Sequence, residues 1–230
     1  MFYYYDTSYF LYMIVTLAVS MYAQIKVQTT FNKYSKVKSQ GGLTGEQAAR
    51  KVLLRDNVGD VSISHISGNL NDYYDPRENV IKLSDNVYGS TSISAIGVAA
   101  HEAGHAVQTA KQYLPIKIRQ FLVPISQFGS SMSMPLIFIG LLFPSKYNFL
   151  VNIGIMLFAL AVLFQVITLP VEINASKRAL VALEESGILY GEEVEGARKV
   201  LSAAALTYLA ATFTALLSLL RIVLISRRRD

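Results

Sequence analysis

Four long apolar runs, at about residues 9–25, 121–143, 149–171 and 201–225, constrain this chain more than any other feature. Each approaches the roughly 20 apolar residues that carry an α-helix across the hydrocarbon core of a bilayer. Only helices and closed barrels satisfy their own backbone there, and runs of this length without two-residue alternation predict helices. Composition agrees: 52% of residues are hydrophobic and 16% charged, against about 25% charged in soluble domains. About four transmembrane helices are expected.

The second and third runs are separated by the short turn PSKYN and read as a membrane hairpin that returns the chain to one side. The first run is entered through a cluster of Tyr, like an interfacial aromatic belt. Residues 1–8 hold no Lys or Arg, Asp6 being their one charge. A cleavable signal peptide wants basic residues ahead of its apolar core, so a retained helix is expected. With four crossings, residues 26–120 and 172–200 share a face, and they hold twelve and four of the 21 Lys and Arg. The positive-inside rule puts that face in the cytoplasm. Arg227, Arg228 and Arg229 then fall on the opposite side, against the rule. The net charge of +5 sits beside apolar segments, where anionic lipid accounts for it without a nucleic-acid partner.

Between the runs the texture changes. TGEQAARKVLLRDNV opens with Thr44 and Gln47 at capping-box spacing and places Ala48, Val52 and Leu53 on one face of a helix. DVSISHI and NLNDYYDPRENVIKLSD read as short strands, the second split into a hairpin by DPRE. Ser90, Thr91 and Ser92 offer N-caps for a helix through SAIGVAAHEAGHAVQTA to about Ala110. EINASKRALVALEESG is helical in pattern and ends at Gly187. The expected organisation is a transmembrane helix over 1–25, a part outside the bilayer with the HEAGH helix over 26–120 and a transmembrane hairpin over 121–171. A helix region over 172–200 follows, then a last span with a basic tail over 201–230.

The chemistry concentrates in HEAGH. Two His at i and i+4 on a helix project from one face, so His101 and His105 can both reach one zinc ion at about 2.0–2.1 Å. Glu102 lies about 100° round the helix, placed to act as general base on a metal-bound water. Two of the three His in the chain fall in this motif, among small apolar neighbours. An ionisable trio there is costly unless a metal satisfies it. The chain has no Cys, so thiolate ligands and thiol nucleophiles are excluded. A catalytic zinc needs a third protein ligand, for which Glu172, His65, Asp72, Asp75, Asp85 and Glu184 are candidates. Glu172 is the best of them, because the hairpin brings it back to the HEAGH side. Pro170 just before it is expected to bend the segment.

HEAGH followed by EINASKRAL resembles the gluzincin branch of the zincins and is similar to the HtpX-like membrane proteases, which carry a Glu-x-x-Ala-Asp element after their hairpin. Here that element is Glu172, Ile173, Asn174, Ala175 and Ser176, with Ser in place of Asp. Across nearly the whole chain, MFYYYD, FNKYSKV, GLTG, YDPRENVIKLS, IGVAAHEAGHAVQ, LPVEINASKRAL and GARKVLSAAALTY resemble the bacterial YugP-type neutral zinc metallopeptidases. The resemblance implies an α+β architecture: a small zincin-like (minigluzincin) catalytic part with a short sheet and the HExxH helix, joined to the membrane helices. It implies a Zn²⁺-dependent, membrane-bound endopeptidase with Glu172 as third metal ligand.

On this reading Glu102 takes the proton of the attacking water and returns it to the leaving amine. By analogy with zincins, the strand at 79–84 presents an edge to an extended substrate. Asn174, Arg178, Tyr73 and Tyr74 are candidate donors to the developing oxyanion. Substrates are expected to be proteins or peptides, including membrane proteins or their exposed tails. The rival readings are a site-2-type intramembrane protease and a zinc-binding scaffold without proteolysis. The first needs HEAGH inside a spanning helix, and the apolar stretch between Ser92 and Lys111 is too short to span alone.

Overall fold

A computed structural model describes residues 7–143 and 148–227. The first part of the Tyr cluster with Asp6, most of the PSKYN turn, and Arg228 and Arg229 lie outside the described residues. The chain is mostly helical: α1 (Thr7–Tyr34), α2 (Gly45–Arg55), α3 (Asp85–Tyr88), α4 (Ile93–Ala110), α5 (Leu114–Leu142), α6 (Asn148–Glu185) and α7 (Glu192–Arg227). Three short strands, β1 (Ser62–His65), β2 (Tyr73–Asp75) and β3 (Val80–Leu83), form one sheet. Four helices are long and apolar enough to cross a membrane, over Tyr9–Tyr34, Leu114–Leu142, Asn148–Glu185 and Glu192–Ser226. α4, which carries HEAGH, is not among them.

The chain divides into two compact units. The first takes the described residues up to Ala23, then Ile118–Leu169, then those from Thr207. Small residues let its α5 and α6 segments approach closely: a Cβ added to Gly129 would stand 3.0 Å from the Leu157 carbonyl oxygen, and one on Gly154 2.9 Å from that of Ser133. Such contacts are how helices associate in lipid, where no hydrophobic force distinguishes neighbour from solvent. Tyr12 and Ser218 hydroxyls hydrogen-bond at 2.7 Å. Leu11, Leu17, Phe121, Phe138, Phe149, Met156 and Leu220 point outward.

The second unit comprises Gln24–Lys117 and Pro170–Leu206. The capping box forms as its spacing predicts: Thr44 Oγ1 accepts from Gln47 N–H, and Gln47 Oε1 accepts from Thr44 N–H. Ser92, last of the three offered caps, starts α4 by accepting from Ala95 N–H. Ala48, Ala49, Val52, Leu53, Ile81, Leu83, Val87, Ile96, Ala99 and Ala103 are buried together in its core.

The sheet order is β1-β3-β2, with β1 parallel and β2 antiparallel to β3. This corrects the expectation for residues 79–84. They do not present an edge, because β3 is flanked on both sides, and the outer strand of the hairpin is β2. Pro170, where a bend is expected, lies inside α6. α6 continues through it to Glu185, so the membrane-like run and EINASKRAL lie on one helix. Proline removes one i→i−4 hydrogen bond, and the rest of this 38-residue helix retains its ladder.

Candidate metal centre

HEAGH occupies the second half of α4, on an Ala-rich helix whose small side chains bring neighbours close. Gly104 is the point of closest approach: a Cβ there would stand 2.8 Å from the Ala175 carbonyl oxygen, a separation real Cβ atoms do not adopt. Ala175 follows Glu172 by three residues, so this contact brings the turn bearing Glu172 against the two histidines.

The result is a cluster of three donors. His101, His105 and Glu172 each offer one ligand atom, all within 4.8 Å of one another. Glu172 Oε2 stands 3.2 Å from His101 Nε2 and 3.4 Å from His105 Nε2. Ligands at about 2.0–2.1 Å from a tetrahedral ion are separated by about 3.3 Å, so both distances fit the edge of one coordination tetrahedron. The imidazole planes cross at 82°, with centroids 4.7 Å apart. Glu172 is 2% exposed, and a carboxylate so removed from water needs a cation or hydrogen-bond donors beside it.

Hydrogen bonds behind the histidines fix which nitrogen faces the cluster. The logic begins at Arg178, which can only donate. Arg178 Nε donates to Asn174 Oδ1 at 2.8 Å. Gln108 Nε2 then donates to that same oxygen at 2.9 Å and to the Val171 carbonyl at 2.8 Å. Gln108 therefore turns its amide oxygen, an acceptor, toward His105 Nδ1 at 3.0 Å. Nδ1 must carry the proton, and the Nε2 lone pair of a neutral His105 faces Glu172 Oε2. Two acceptors face each other at 3.4 Å, an arrangement that calls for a cation between them or a second proton on the ring. A metal ligand whose other ring nitrogen is held this way is the usual mode of imidazole coordination. On the other histidine, Ser176 Oγ lies 3.1 Å from His101 Nδ1. The Ser that departs from the Glu-x-x-Ala-Asp pattern thus reaches the histidine with its shorter side chain.

Glu102 is buried beside the cluster. Burial pushes its carboxyl up to about 7, the positive character of His101 opposes the shift, and the carboxylates of Glu172 and Asp72 add to it. The Tyr74 backbone also hydrogen-bonds Glu102 and favours the ionised form, which puts the outer strand β2 next to the catalytic candidate.

The other sequence candidates lie elsewhere. His65 Nε2 pairs with Asp85 Oδ1 at 2.6 Å on the exposed face. Asp75 holds the hairpin turn through Arg77 N–H at 2.8 Å. Asp72 accepts from the Ser84 backbone at 2.7 Å and its hydroxyl at 3.0 Å, and burial raises its pKa. Glu184 is exposed, twelve residues beyond Glu172 on α6. Of the candidate oxyanion donors, Asn174 and Arg178 are engaged in the chain leading to His105. Tyr74 donates its hydroxyl to Asn79 Oδ1 at 3.0 Å, and Tyr73 stacks under Lys82. Sequence reasoning missed Gln108. The one signal in the sequence is spacing: Gln108 follows His105 by three residues and His101 by seven, so it lies on the histidine face of α4.

Comparison with known proteins relates the chain to others over nearly its whole length. The chain is 45% identical over 212 residues, 92% of its own length and 93% of the relative's, to the "Putative membrane protease YugP" of Bacillus subtilis (strain 168). No solved structure matches it. Four apolar helices and a membrane relative mark it as a membrane protein. The profile of a family described as "Putative neutral zinc metallopeptidase" matches residues 9–227, and with nearly the whole chain covered, the protein belongs to that family.

Proposed function

We propose that the protein is a membrane-bound zinc endopeptidase with a zincin-like catalytic part, His101, His105 and Glu172 holding the metal and Glu102 serving as general base. The observation that carries the reading is the convergence of three donor groups within 4.8 Å, with Glu172 at tetrahedral spacing from both histidines and the Nε2 lone pair of His105 fixed inward by Gln108. A bound zinc would supply a Lewis-acid centre that acidifies water and polarises a carbonyl. Glu102 would take the proton of the attacking water and pass it to the leaving amine. Its burial, with a pKa pushed up toward neutrality, suits a group that must both accept and release a proton near pH 7.

An extended peptide would align along β2, whose Tyr74 backbone meets Glu102. Strand addition at a free edge gives main-chain hydrogen bonds without demanding particular side chains. Substrates would be proteins or peptides, membrane proteins with exposed tails among them. The distribution of Lys and Arg supports a cytoplasmic site.

The test compares zinc content and peptide hydrolysis of the purified full chain and of Glu102→Gln. The variant is expected to keep its zinc and lose about 10²–10⁴-fold in kcat, the usual range for a general acid–base. A zinc-loaded parent without hydrolysis would point to a metal-binding scaffold instead. Equal hydrolysis by parent and variant would remove Glu102 from the mechanism.

A further inference from the structure

Away from the metal cluster, the second unit contains an open cleft of about 390 Å³ between α1 and α7. Lys26 and Lys33 line it from α1, and Glu195, Arg198 and Lys199 from α7. Four cations face one carboxylate. Glu195 is shared between Arg198 at 3.2 Å and Lys199 at 3.9 Å. Lys26 and Lys33 have no carboxylate partner among the described residues. The helices are held close at one end of the cleft by Gly196, where an added Cβ would stand 2.8 Å from the Tyr34 ring.

The cleft has a direction. Lys26 is the first charge after the apolar run at 9–25, and Leu206, with Ala203, lines the cleft from within the apolar run at 201–225. Lys33 and Arg198 stand at the opposite end, about 10–12 Å along the helices at 1.5 Å per residue. Lys33, Arg198 and Lys199 thus mark one end, and Ala203 and Leu206, with Lys26 across from them, the other, aligned with the passage of both helices from water into hydrocarbon. The volume equals that of about 13 waters at roughly 30 Å³ each, enough for a glycerophosphate group.

We propose that this cleft binds an anionic phospholipid, its phosphate seated among Lys33, Arg198 and Lys199 and the start of its acyl chain against Ala203 and Leu206. Basic pockets between membrane helices are suited to phosphate headgroups. A free phosphate would use the cations and leave the apolar wall unused; an amphiphile uses both. The site is separate from the proposed peptidase chemistry and stands or falls without it.

The experiment titrates fluorescent phosphatidylglycerol into the full chain in neutral detergent, with phosphatidylcholine and inorganic phosphate as competitors. Each basic residue near a headgroup is worth about fivefold in affinity. Lys33→Gln combined with Arg198→Gln should weaken phosphatidylglycerol about thirtyfold, while Lys36→Gln combined with Lys51→Gln, outside the cleft, should change it less than twofold. Glu195→Gln removes the one competing carboxylate and should tighten binding, a gain that misfolding cannot produce. Equal losses in the two double variants, or competition by inorganic phosphate as effective as by unlabelled phosphatidylglycerol, would overturn the assignment. Phosphatidylcholine competing equally would do the same.

Discussion

Gln108 offers the sharpest test of how the metal cluster is oriented. Gln108→Leu keeps the volume and removes three hydrogen bonds: from Nε2 to the Val171 carbonyl and Asn174 Oδ1, and to Oε1 from His105 Nδ1–H. Gln108 itself is 0% exposed. Asn174 Oδ1 keeps its bond from Arg178 Nε and the Val171 carbonyl its place inside α6, so the group left without a partner is His105 Nδ1–H, at a cost of about 1–3 kcal/mol of stability in the metal-free state. The more specific effect falls on His105. Without the acceptor at Nδ1 its tautomer is no longer set and its ring no longer aimed. Loss of such outer partners costs about 10–100-fold in metal affinity, equivalent to about 1.4–2.7 kcal/mol. Zinc affinity measured by competition with a chromophoric chelator, on variant and parent in the same detergent, reads this directly. Gln108→Glu separates orientation from packing. It can still accept from Nδ1–H but sets a carboxylate against the Val171 carbonyl and Asn174 Oδ1, so it should fold less well. A Gln108→Leu protein that binds zinc within twofold of the parent would refute the proposed role of this residue.

Two further outcomes follow from single positions. Glu102, raised from 4.5 to about 7 by burial, stays protonated in the folded metal-free protein where the unfolded chain has already lost the proton. Stability of the metal-free protein should therefore fall as pH rises from about 4.5 to 7, by about 3 kcal/mol. Glu102→Gln should flatten that dependence in thermal melts. Gly104→Ala pushes a methyl group onto the Ala175 carbonyl oxygen, 2.8 Å away. It should cost about 1–3 kcal/mol and lower zinc content by displacing Glu172 from the histidines, as elemental analysis of the purified variant will report.

Much of this was legible from local pattern. The apolar runs announced long helices because helix length in a bilayer is a matter of composition, and Thr44 with Gln47 announced a helix start because capping is local. HEAGH named its histidines by helical period alone. Glu172 stood out only through the hairpin argument and the resemblance, since nothing local marks a carboxylate at the end of an apolar run as a ligand. Strand order escaped. Alternation identifies residues 80–83 as a strand but says nothing of its neighbours, and the parallel pairing of Ser62 with Val80 is a tertiary outcome. Gln108 escaped for a similar reason: its partner, the Val171 carbonyl, is a backbone group 63 residues away. Pro170 does not end the helix, because a proline breaks one only where the neighbouring turns are not otherwise held.

The contacts between α4 and α6 explain why they are held here. Gly104 meets Ala175, Gln108 meets Val171 and Asn174, and His101 meets Ser176, so these four contacts fall within six consecutive residues of α6. Together they fix both the height and the rotation of that helix against HEAGH. A register shift of one residue would turn Glu172 about 100° away from the imidazoles and replace it with the apolar Val171 or Ile173. The three-donor cluster therefore depends less on any single bond than on a locked helix register, and Arg178 contributes to that lock by donating to Asn174 Oδ1.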